Sequence, residues 1–441
     1  MPFWLENHIF VQRNNLPDLS RDAAPASSVI EENMSIPFSA SRLSERYKLS
    51  LPAIALTALF TMTSMPLQAE TPASATQFAY IGTYNPNGEG VYLFKVDGQS
   101  GALSRVNVAS TQANPAQLTV DGNGKTLYVA SEIANYKGGK NGSIAAYAVS
   151  RTDGALTMLN EQDSQGATPA FVTLAEQGKY LFAANYGGGS VAVFPIAGDG
   201  SLQSASSVQQ DSGPAGAAKP EAAATGSFAA SDHNGPHAHM IASDPSGKFA
   251  FSTDLGLDRI YQWRFDQSNG RLTPNTPAFI KASSAGAGPR HFVFHPNGKY
   301  VYVINEEAST LTLYHFDKAS GTLQEQESVS SLPKNYQGTS FASGLIFSAD
   351  GRFLYTANRL RNSIAQFAVG AEGRLKWVDD TWTRGDYPRS LVISPQGRFM
   401  YVMNQRSDNI TQFAVDKESG KLEFIDRYTG LGSPSQMVFL P

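Results

Sequence analysis

The side chains best suited to proton transfer and anion binding lie in short motifs spread along the chain. His237 and His239 stand in Pro-His-Ala-His, Arg290 stands in Gly-Pro-Arg-His, and Glu306 and Arg359 each follow an asparagine. Arginine holds a carboxylate or phosphate with two parallel hydrogen bonds. Histidine and glutamate are the usual proton carriers in enzymes. These residue types predict a site for an anionic substrate, or for an oxyanion formed during a reaction.

The inventory fits attack of an activated water molecule on an ester carbonyl. The sequence has no Gly-x-Ser-x-Gly elbow and no cysteine, so no protein nucleophile is evident. A histidine or glutamate could activate the water, and arginine could stabilise the developing oxyanion. Lactone hydrolysis is the simplest reaction of this kind. Its reverse or an intramolecular cyclisation would use the same groups.

Metal binding is the competing interpretation of the two histidines. His237 and His239 share one face of a strand, and His233 lies close by. Zinc sites need three or four ligands supported by a second shell, and flanking arginines would repel a cation. We therefore predict no metal and no cofactor. The glycine-rich stretch that follows Tyr186 joins two strands and precedes no helix, so it does not predict a phosphate loop.

The stretch from Gly286 to Glu307 shows how the chain could position these groups. Phe292 to Phe294 is a short apolar strand, Asn297-Gly298 supplies a tight turn, and Tyr300 to Ile304 is the returning strand. A hairpin brings its two outer ends together. Arg290 and Glu306 are therefore expected at the same rim.

This unit recurs along the chain. Six turns carry Gly-Lys or Gly-Arg before an aromatic strand. Each repeat ends with a second turn that carries Gly-x-Leu, and the chain has seven of these, at Gly101, Gly154, Gly200, Gly270, Gly321, Gly373 and Gly420. Four short strands per repeat are typical of a β-propeller blade. We predict an all-β, seven-bladed β-propeller with four antiparallel strands per blade. Its ring would be closed by the C-terminal strand around Met437 joining the N-terminal blade.

In such a ring two positions of each blade, here called its first and second slots, should meet at the mouth of the central channel. The first slot follows the proline that opens the innermost strand: Ala116, Ala170, His237, Arg290, Arg389 and Ser435, with Ala342-Ser343-Gly344 in blade six. The second slot ends the next strand: Tyr84, Glu132, Asn185-Tyr186, Asp254, Asn305-Glu306, Asn358-Arg359 and Asn404-Gln405. Salt bridges could account for part of this charge. His291 and His295 are expected to pack between blades or in the turn.

The N-terminal segment, residues 1–69, differs from the rest. A positive cluster at Arg42, Arg46 and Lys48 precedes an apolar run from Leu51 to Met65 and the small residue Ala69. This order is typical of a signal peptide, and the run is short for a membrane span of about 20 residues. We predict a start at Met34, cleavage after Ala69, a disordered extension before Met34, and export to the periplasm or beyond. The propeller would occupy residues 70–441. An uncleaved anchor is the alternative.

Composition excludes several classes of partner. The net charge of −4 and the pI near 6.0 give no basic surface for nucleic acid. We predict a monomer without a membrane span after processing, acting on a small anionic substrate.

From Gln209 to Gly235 the chain is rich in Ala, Gly, Ser and Pro and has no strand pattern. We interpret it as a long surface loop at the rim, with a lid as one role.

Several of these motifs resemble those of the seven-bladed propeller lactonases, which include propeller-type 6-phosphogluconolactonase and fungal carboxy-cis,cis-muconate cyclase. The motifs are Ala-Ala-Asn-Tyr-Gly-Gly-Gly-Ser-Val at 183–191, Pro-His-Ala-His at 236–239, Asp-Leu-Gly-Leu-Asp-Arg at 254–259, Gly-Ala-Gly-Pro-Arg-His at 286–291, Asn-Glu at 305–306 and Asp-Gly-Arg-Phe-Leu-Tyr at 350–355. The resemblance covers residues 78–441. It implies a metal-free hydrolase of a sugar-acid 1,5-lactone.

The resemblance also implies a catalytic set, which here is His237, Arg290, Glu306 and Arg359. Around it we expect the substrate contacts His239, Glu132, Asn185, Tyr186, Asp254, Arg389 and Tyr84. The chain departs from the family pattern where Gly344 replaces a glutamate and where the segment before Pro236 is longer. An unphosphorylated lactone is therefore expected as readily as a phosphorylated one. The alternatives are an exported propeller that only binds a ligand or protein, and a cyclase or lyase acting on an unsaturated dicarboxylate.

Overall fold

The computed structural model describes residues 77–175, 178–230 and 233–441, and these form seven four-stranded antiparallel sheets. The seven-bladed propeller expected from the repeats is therefore confirmed. The predictions for residues 1–69, namely the signal peptide, the start at Met34 and cleavage after Ala69, concern a segment outside the described residues. Within the described ranges, no helix has the length and apolar character needed to cross a bilayer.

Each blade uses consecutive strands, except that the first takes its innermost strand from the end of the chain. Blade one contains β1 (Gln77–Thr83), β2 (Val91–Val96), β3 (Leu103–Ser110) and β28 (Pro434–Phe439). Blade two contains β4 (Pro115–Val120), β5 (Thr126–Ser131), β6 (Ser143–Val149) and β7 (Leu156–Asp163). Blade three contains β8 (Pro169–Leu174), β9 (Tyr180–Asn185), β10 (Ser190–Pro195) and β11 (Ser207–Gln210).

The remaining blades follow the same order from the centre outwards. Blade four contains β12 (Ala238–Ser243), β13 (Phe249–Asp254), β14 (Arg259–Asp266) and β15 (Arg271–Lys281). Blade five contains β16 (Pro289–Phe294), β17 (Tyr300–Asn305), β18 (Thr310–Asp317) and β19 (Thr322–Ser330). Blade six contains β20 (Ala342–Phe347), β21 (Phe353–Asn358), β22 (Ser363–Val369) and β23 (Leu375–Trp382). Blade seven contains β24 (Pro388–Ile393), β25 (Phe399–Asn404), β26 (Asn409–Val415) and β27 (Leu422–Gly430).

The hydrophobic core lies between neighbouring blades, where the alternating side chains of two sheets meet. Phe78 and Tyr80 of blade one pack with Leu118 and Leu127 of blade two, for example. Tyrosines of the second strands extend across this interface. Five of their hydroxyls, those of Tyr80, Tyr128, Tyr302, Tyr355 and Tyr401, donate to the carbonyls of Gly154, Gly200, Gly373, Gly420 and Gly101 in the next blade.

The Gly-x-Leu turns that indicated the number of blades thus have a physical reason. Gly420 has φ of +71°, and a Cβ there would lie 2.3 Å from the ring of Phe353 in blade six. Only glycine combines that backbone conformation with so close a neighbour. Each turn therefore accepts a hydrogen bond from the preceding blade and leaves room for its second strand.

The ring closes through β28, as the sequence predicted. This strand pairs with β1 in antiparallel register, with Tyr80 opposite Val438 and Ile81 opposite Met437. It also bonds to blade two, because the Leu118 amide donates to Oε1 of Gln436 at 2.6 Å. The last strand therefore completes blade one and joins it to the next.

The long irregular segment, described for residues 211–230 and 233–236, follows β11 and contacts three blades on one side of the ring. Gly216 donates its amide to the carbonyl of Gly256 in blade four, and Glu221 donates to Ala285 just before blade five. The Phe228 amide donates to Oγ1 of Thr339 before blade six at 2.7 Å. The strap formed by these residues thus lies against the loops that lead into β16 and β20.

Candidate active site

The innermost strands share a β-bulge near their first residue. In β16, Pro289 pairs with Asn305 and His291 with Ile304, so Arg290 is the extra residue. The residues at the equivalent places are Ala116, Ala170, His239, Arg290, Ser343, Arg389 and Ser435, with Gly344 beside Ser343. A bulge bends the strand and re-aims a side chain, and bulges are over-represented next to active sites. This set forms the inner ring of the candidate site.

The structure corrects the first slot of blade four. The bulge there lies between Ala238 and Met240, so the equivalent of Arg290 is His239 rather than His237. His237 lies two residues earlier, and its carbonyl accepts the amide of Leu255. In the other blades, the residue two positions before the bulge likewise accepts, through its carbonyl, a backbone amide from the residue after the second strand. His237 therefore belongs to the outer rim, because the Pro-His pair is offset by two residues from the Pro-Arg pair.

The second slot also divides into two kinds of position. The last residue of each second strand is buried inside its blade: Nδ2 of Asn185 donates to the Ser164 carbonyl at 2.9 Å, and Oδ1 of Asp254 accepts the amides of His237 and Leu257. The residue that follows takes the position towards the channel. In five blades this residue is Tyr84, Glu132, Tyr186, Glu306 or Arg359. Asn185 and Asp254 thus hold the loops rather than face the centre.

Glu306 joins two of the arginines at the centre of the site. Its Oε2 lies 2.8 Å from Nε of Arg290, and its Oε1 lies 2.5 Å from Nη2 of Arg359. Both arginine side chains are buried, whereas the Glu306 side chain is 16% exposed. Nη1 of Arg290 also donates to the carbonyl of Ser343 at 3.0 Å. Side chains from blades five and six are therefore held in one network.

Arg389, Glu132 and Tyr84 form a second group from blades seven, two and one. Nη2 of Arg389 lies 3.3 Å from Oε2 of Glu132, which accepts the Tyr84 hydroxyl at 2.5 Å. The guanidinium of Arg389 lies over the Tyr84 ring, 4.9 Å from its centroid. Burial, outweighing the charge of Arg389, raises the pKa of Tyr84 well above its usual value, so this phenol stays protonated and can donate.

Four rings connect His237 with Arg290. His237 stacks on Tyr186 with 4.6 Å between centroids, and the edge of Tyr186 meets His239 at 5.5 Å. His239 meets His291 at 4.9 Å, and Nη1 of Arg290 lies 3.2 Å from Nδ1 of His291. His237 and Arg290 therefore stand at opposite ends of a contact chain, and His239 is nearer the arginines.

His291 was expected to pack between blades or in the turn, but the structure places it beside the Arg290 guanidinium. The bulge at Arg290 adds a residue, so strict alternation fails there and His291 lies beside the Arg290 guanidinium. His295 does lie in a turn, where its Nδ1 accepts the amide of Asn297 at 3.1 Å. A bulge-forming signal, such as the proline before the arginine, could have indicated the change of face.

Burial and like charges decide which groups are ionised. Burial, reinforced by Arg290, lowers the pKa of His239 well below its usual value, and the same causes lower that of His291. Burial also lowers the pKa of Arg290 to about 10. For Glu306, burial is outweighed by Arg359 and Arg290, which lower its pKa. At neutral pH the centre thus contains neutral imidazoles, an ionised Glu306 and three guanidinium groups.

Two buried carboxyl groups behind the site were not found from the sequence. Burial and the charge of Glu306 raise the pKa of Glu307 well above its usual value, so its carboxyl is protonated. Burial and Asp254 do the same for Asp211. Neither side chain carried a motif, and only the folded structure shows that each carboxyl group is buried near a second carboxylate.

The site gathers Arg290, Glu306, Arg359, Arg389, Glu132, Tyr84 and His239 around the channel, and places His237 and Tyr186 along its rim. Among the described residues, no group of three or more His, Cys, Asp or Glu side chains could hold a metal ion. Three guanidinium groups face two carboxylates, Glu306 and Glu132, and the neighbouring imidazoles His239 and His291 are neutral. The arrangement can bind one further negative charge and can transfer a proton next to it.

A seven-bladed propeller whose central channel carries such a charged, partly exposed cluster is suited to an enzyme that acts on a small anionic molecule. Comparison with known proteins identifies the family. The model of the lactonase family with a 7-bladed β-propeller matches residues 78–439. The chain therefore belongs to this family of lactonases.

Individual relatives agree with the family assignment. The 6-phosphogluconolactonase of Bacillus subtilis is 35% identical over 312 residues, which are 70% of this chain and 83% of that protein. The solved structure of the periplasmic gluconolactonase of Pseudomonas aeruginosa has 31% identity and a TM-score of 0.75, covering 83% of this chain and 99% of that one. A Bacteroides fragilis structure of 30% identity also has a TM-score of 0.75, covering 85% and 100%.

Proposed function

We propose that the protein hydrolyses the 1,5-lactone of a sugar acid, such as gluconolactone or its 6-phosphate. The observation that carries this proposal is the pair of ion contacts made by Glu306. One carboxylate oxygen lies 2.8 Å from Arg290 and the other lies 2.5 Å from Arg359, so Glu306 holds the two guanidinium groups next to each other. Two fixed guanidinium groups at a partly exposed carboxylate suit the carbonyl oxygen of an ester as it becomes an oxyanion. The names of the Bacillus and Pseudomonas relatives support the same substrate class.

In the proposed reaction a water molecule attacks the lactone carbonyl and loses a proton to a protein base. The tetrahedral oxyanion is stabilised by Arg290 and Arg359, and Arg389 adds a third positive charge. The ring C–O bond then breaks, and the departing ring oxygen takes the proton back from the base. The product is the open-chain acid, which releases its carboxyl proton to solvent and leaves as the carboxylate. Glu132, Tyr84 and Tyr186 would contact the sugar hydroxyls.

Glu306, His237 and His239 are the candidate bases. Glu306 is ionised, but both of its carboxylate oxygens are already paired with arginines. Nε2 of His237 lies 2.7 Å from Oδ1 of Asn234, so that nitrogen already has a partner. Nδ1 of His239 is buried without a hydrogen-bond partner among the described residues. We therefore assign water activation to His239 and a substrate-guiding role at the rim to His237.

The test is consumption of glucono-1,5-lactone and 6-phosphoglucono-1,5-lactone above the spontaneous rate, in the wild type and in Arg290→Ala. Loss of an oxyanion donor should lower kcat/KM by about 10²–10³-fold. Arg271→Gln, which removes an exposed arginine at the first residue of β15, the outermost strand of blade four, should keep full activity. Circular dichroism would confirm that Arg290→Ala is folded. Full activity in a folded Arg290→Ala would rule out this site.

We further propose that the protein is exported, because the order of charges, apolar run and small residue at 42–69 is that of a signal peptide. A periplasmic enzyme among the structural neighbours is consistent with this location. N-terminal sequencing of the protein recovered from a periplasmic fraction should begin at Glu70. Recovery of the unprocessed chain in the cytoplasm would contradict the proposal.

A further inference from the structure

A second cationic position lies outside the inner ring, in the turn between β25 and β26 of blade seven. Arg406 is exposed, and its guanidinium carbon lies 3.8 Å from the centroid of the Tyr387 ring. The same ring is contacted by Arg359, whose guanidinium carbon is 5.1 Å from the centroid. Tyr387 therefore links an arginine of the proposed reaction centre to an arginine at the rim. Neither Tyr387 nor Arg406 lies in a motif that predicted a functional role.

The Arg406 side chain is available to pair with an anionic ligand. Arg406 forms no ion pair with any carboxylate of the described residues. The carboxylates of Asp386 and Asp408, in the adjoining turns, bond instead to neutral donors: Asp386 accepts Nδ2 of Asn362 at 3.0 Å, and Asp408 accepts Nδ2 of Asn87 and the Ser433 amide. Stacking on Tyr387 holds the planar group in one orientation. An oriented, unpaired guanidinium is suited to binding an anionic oxygen group.

The spacing allows one substrate with anionic groups at both ends to reach both arginines. The two distances to the Tyr387 ring limit the separation of the Arg359 and Arg406 guanidinium carbons to about 9 Å. A six-carbon sugar acid spans a comparable length from its carboxyl carbon to a substituent on C6. A ligand whose ester carbonyl lies at Arg359 could therefore extend along Tyr387 and place its far end at Arg406.

We infer that Arg406, stacked on Tyr387, forms a distal subsite that selects lactones with a second anionic group at the end remote from the ester. This inference rests on the proposed lactone chemistry at Arg290 and Arg359. The anionic group is a phosphate or a carboxylate on C6, and either would accept hydrogen bonds from the guanidinium group. Arg406 acts on specificity and does not touch the reacting carbonyl.

Binding of the open-chain acids measures the subsite without requiring turnover. Isothermal titration calorimetry of the processed protein would use gluconate, 6-phosphogluconate and glucarate, which differ only at C6. The wild type should bind at least one of the two dianions about tenfold or more tightly than gluconate, which is the usual contribution of a charge-assisted hydrogen bond. Comparison of the two dianions identifies whether phosphate or carboxylate is the preferred group.

Arg406→Gln should abolish this preference, and Arg406→Lys, which keeps the charge without the planar stack, should retain part of it. Arg271→Gln removes the same charge elsewhere and should bind like the wild type. The inference is overturned if the wild type shows no preference, if Arg406→Gln keeps it, or if none of the acids binds. A protein that keeps an Arg406-dependent preference but hydrolyses neither lactone would refute the proposed function and leave the subsite standing.

Discussion

The proposed reaction depends on keeping an imidazole neutral among three arginines. Burial and Arg290 lower the pKa of His239, so this ring gains a proton only at a pH well below the usual value for histidine. A base must be unprotonated to accept a proton from water. We expect the acid side of the pH profile to reflect this lowered pKa, or that of Glu306, and not the titration of an exposed histidine.

The two histidines of Pro-His-Ala-His can be separated by substitution. His239→Asn should lower kcat by about 10²–10⁴-fold, since a general base typically contributes that much. His237→Asn should chiefly raise KM, because His237 lies on the rim against Tyr186. Steady-state kinetics on gluconolactone between pH 5 and 8 would measure both. A larger loss of kcat in His237→Asn than in His239→Asn would reverse the assignment.

The residue types of the site could be predicted from the sequence, but their exact positions could not. Arg290 follows a proline that opens a strand, and this local signal identified its slot correctly. In blade four the same reasoning selected His237, because the bulge depends on the pairing of β12 with β13 and not on the proline alone. His291 was missed for the same reason. A bulge changes which face a side chain takes, and the alternation rule cannot show it.

At the scale of elements, two loops pack against each other behind Glu306. Gly288, before β16, accepts the Glu306 amide through its carbonyl at 2.7 Å and donates its own amide to Oδ1 of Asp258. A Cβ at Gly288 would lie 1.4 Å from Oε2 of Glu307, and φ there is +69°. The buried carboxyl of Glu307 therefore fills the space beneath Gly288, and the two loops fix Glu306 together.

Glu307 should weaken the fold at neutral pH. The pKa of Glu307 is raised in the folded protein. As the pH rises above the usual pKa of a glutamate, the unfolded chain releases the Glu307 proton while the folded chain keeps it, and this difference lowers the free energy of unfolding. Glu307→Gln removes this penalty while keeping the shape. We expect a higher free energy of unfolding than wild type at pH 7, by about 1 kcal/mol or more. The difference should shrink as the pH falls towards 4.

Denaturant unfolding at several pH values would measure the effect of Glu307→Gln. Glu423→Gln, at an exposed position of β27, is the matched control and should show no comparable pH-dependent gain. A gain of equal size at pH 4 and pH 7 would indicate better packing rather than relief of an ionisation penalty. The sequence could not predict this group, because Glu307 is buried only when the Gly286–Gly288 loop folds over it.

At the scale of the whole molecule, the number of blades was predictable because each closing glycine is a local requirement. The positive φ angle and the contact with the previous blade recur in the sequence as Gly-x-Leu. Ring closure was predictable by a different argument, since blade one lacks an innermost strand and the chain ends with one. The path of the strap over blades four to six was not predictable, because it depends on single contacts such as that of Phe228 with Thr339.

Closure by β28 makes the intact ring necessary for the site. This strand places Ser435 in the inner ring, where its hydroxyl donates to the Pro115 carbonyl of blade two at 2.6 Å, and its removal leaves the edge of β1 unpaired. A chain without residues 434–441 should therefore unfold less cooperatively, associate through β1 and lose most lactone hydrolysis. A chain without residues 1–69 keeps every described strand and should match the processed protein.

Adding the missing strand as a separate peptide distinguishes closure from a general loss of folding. A peptide of residues 433–441 can pair with the open edge of β1 by strand addition. It should restore thermal stability and hydrolysis in a concentration-dependent way. The same peptide with Met437→Asp should bind at least about a hundredfold more weakly, because Met437 is buried between blades one and seven and a carboxylate there would be unpaired. Equal rescue by both peptides, or full activity of the truncated chain alone, would show that the site does not need a closed ring.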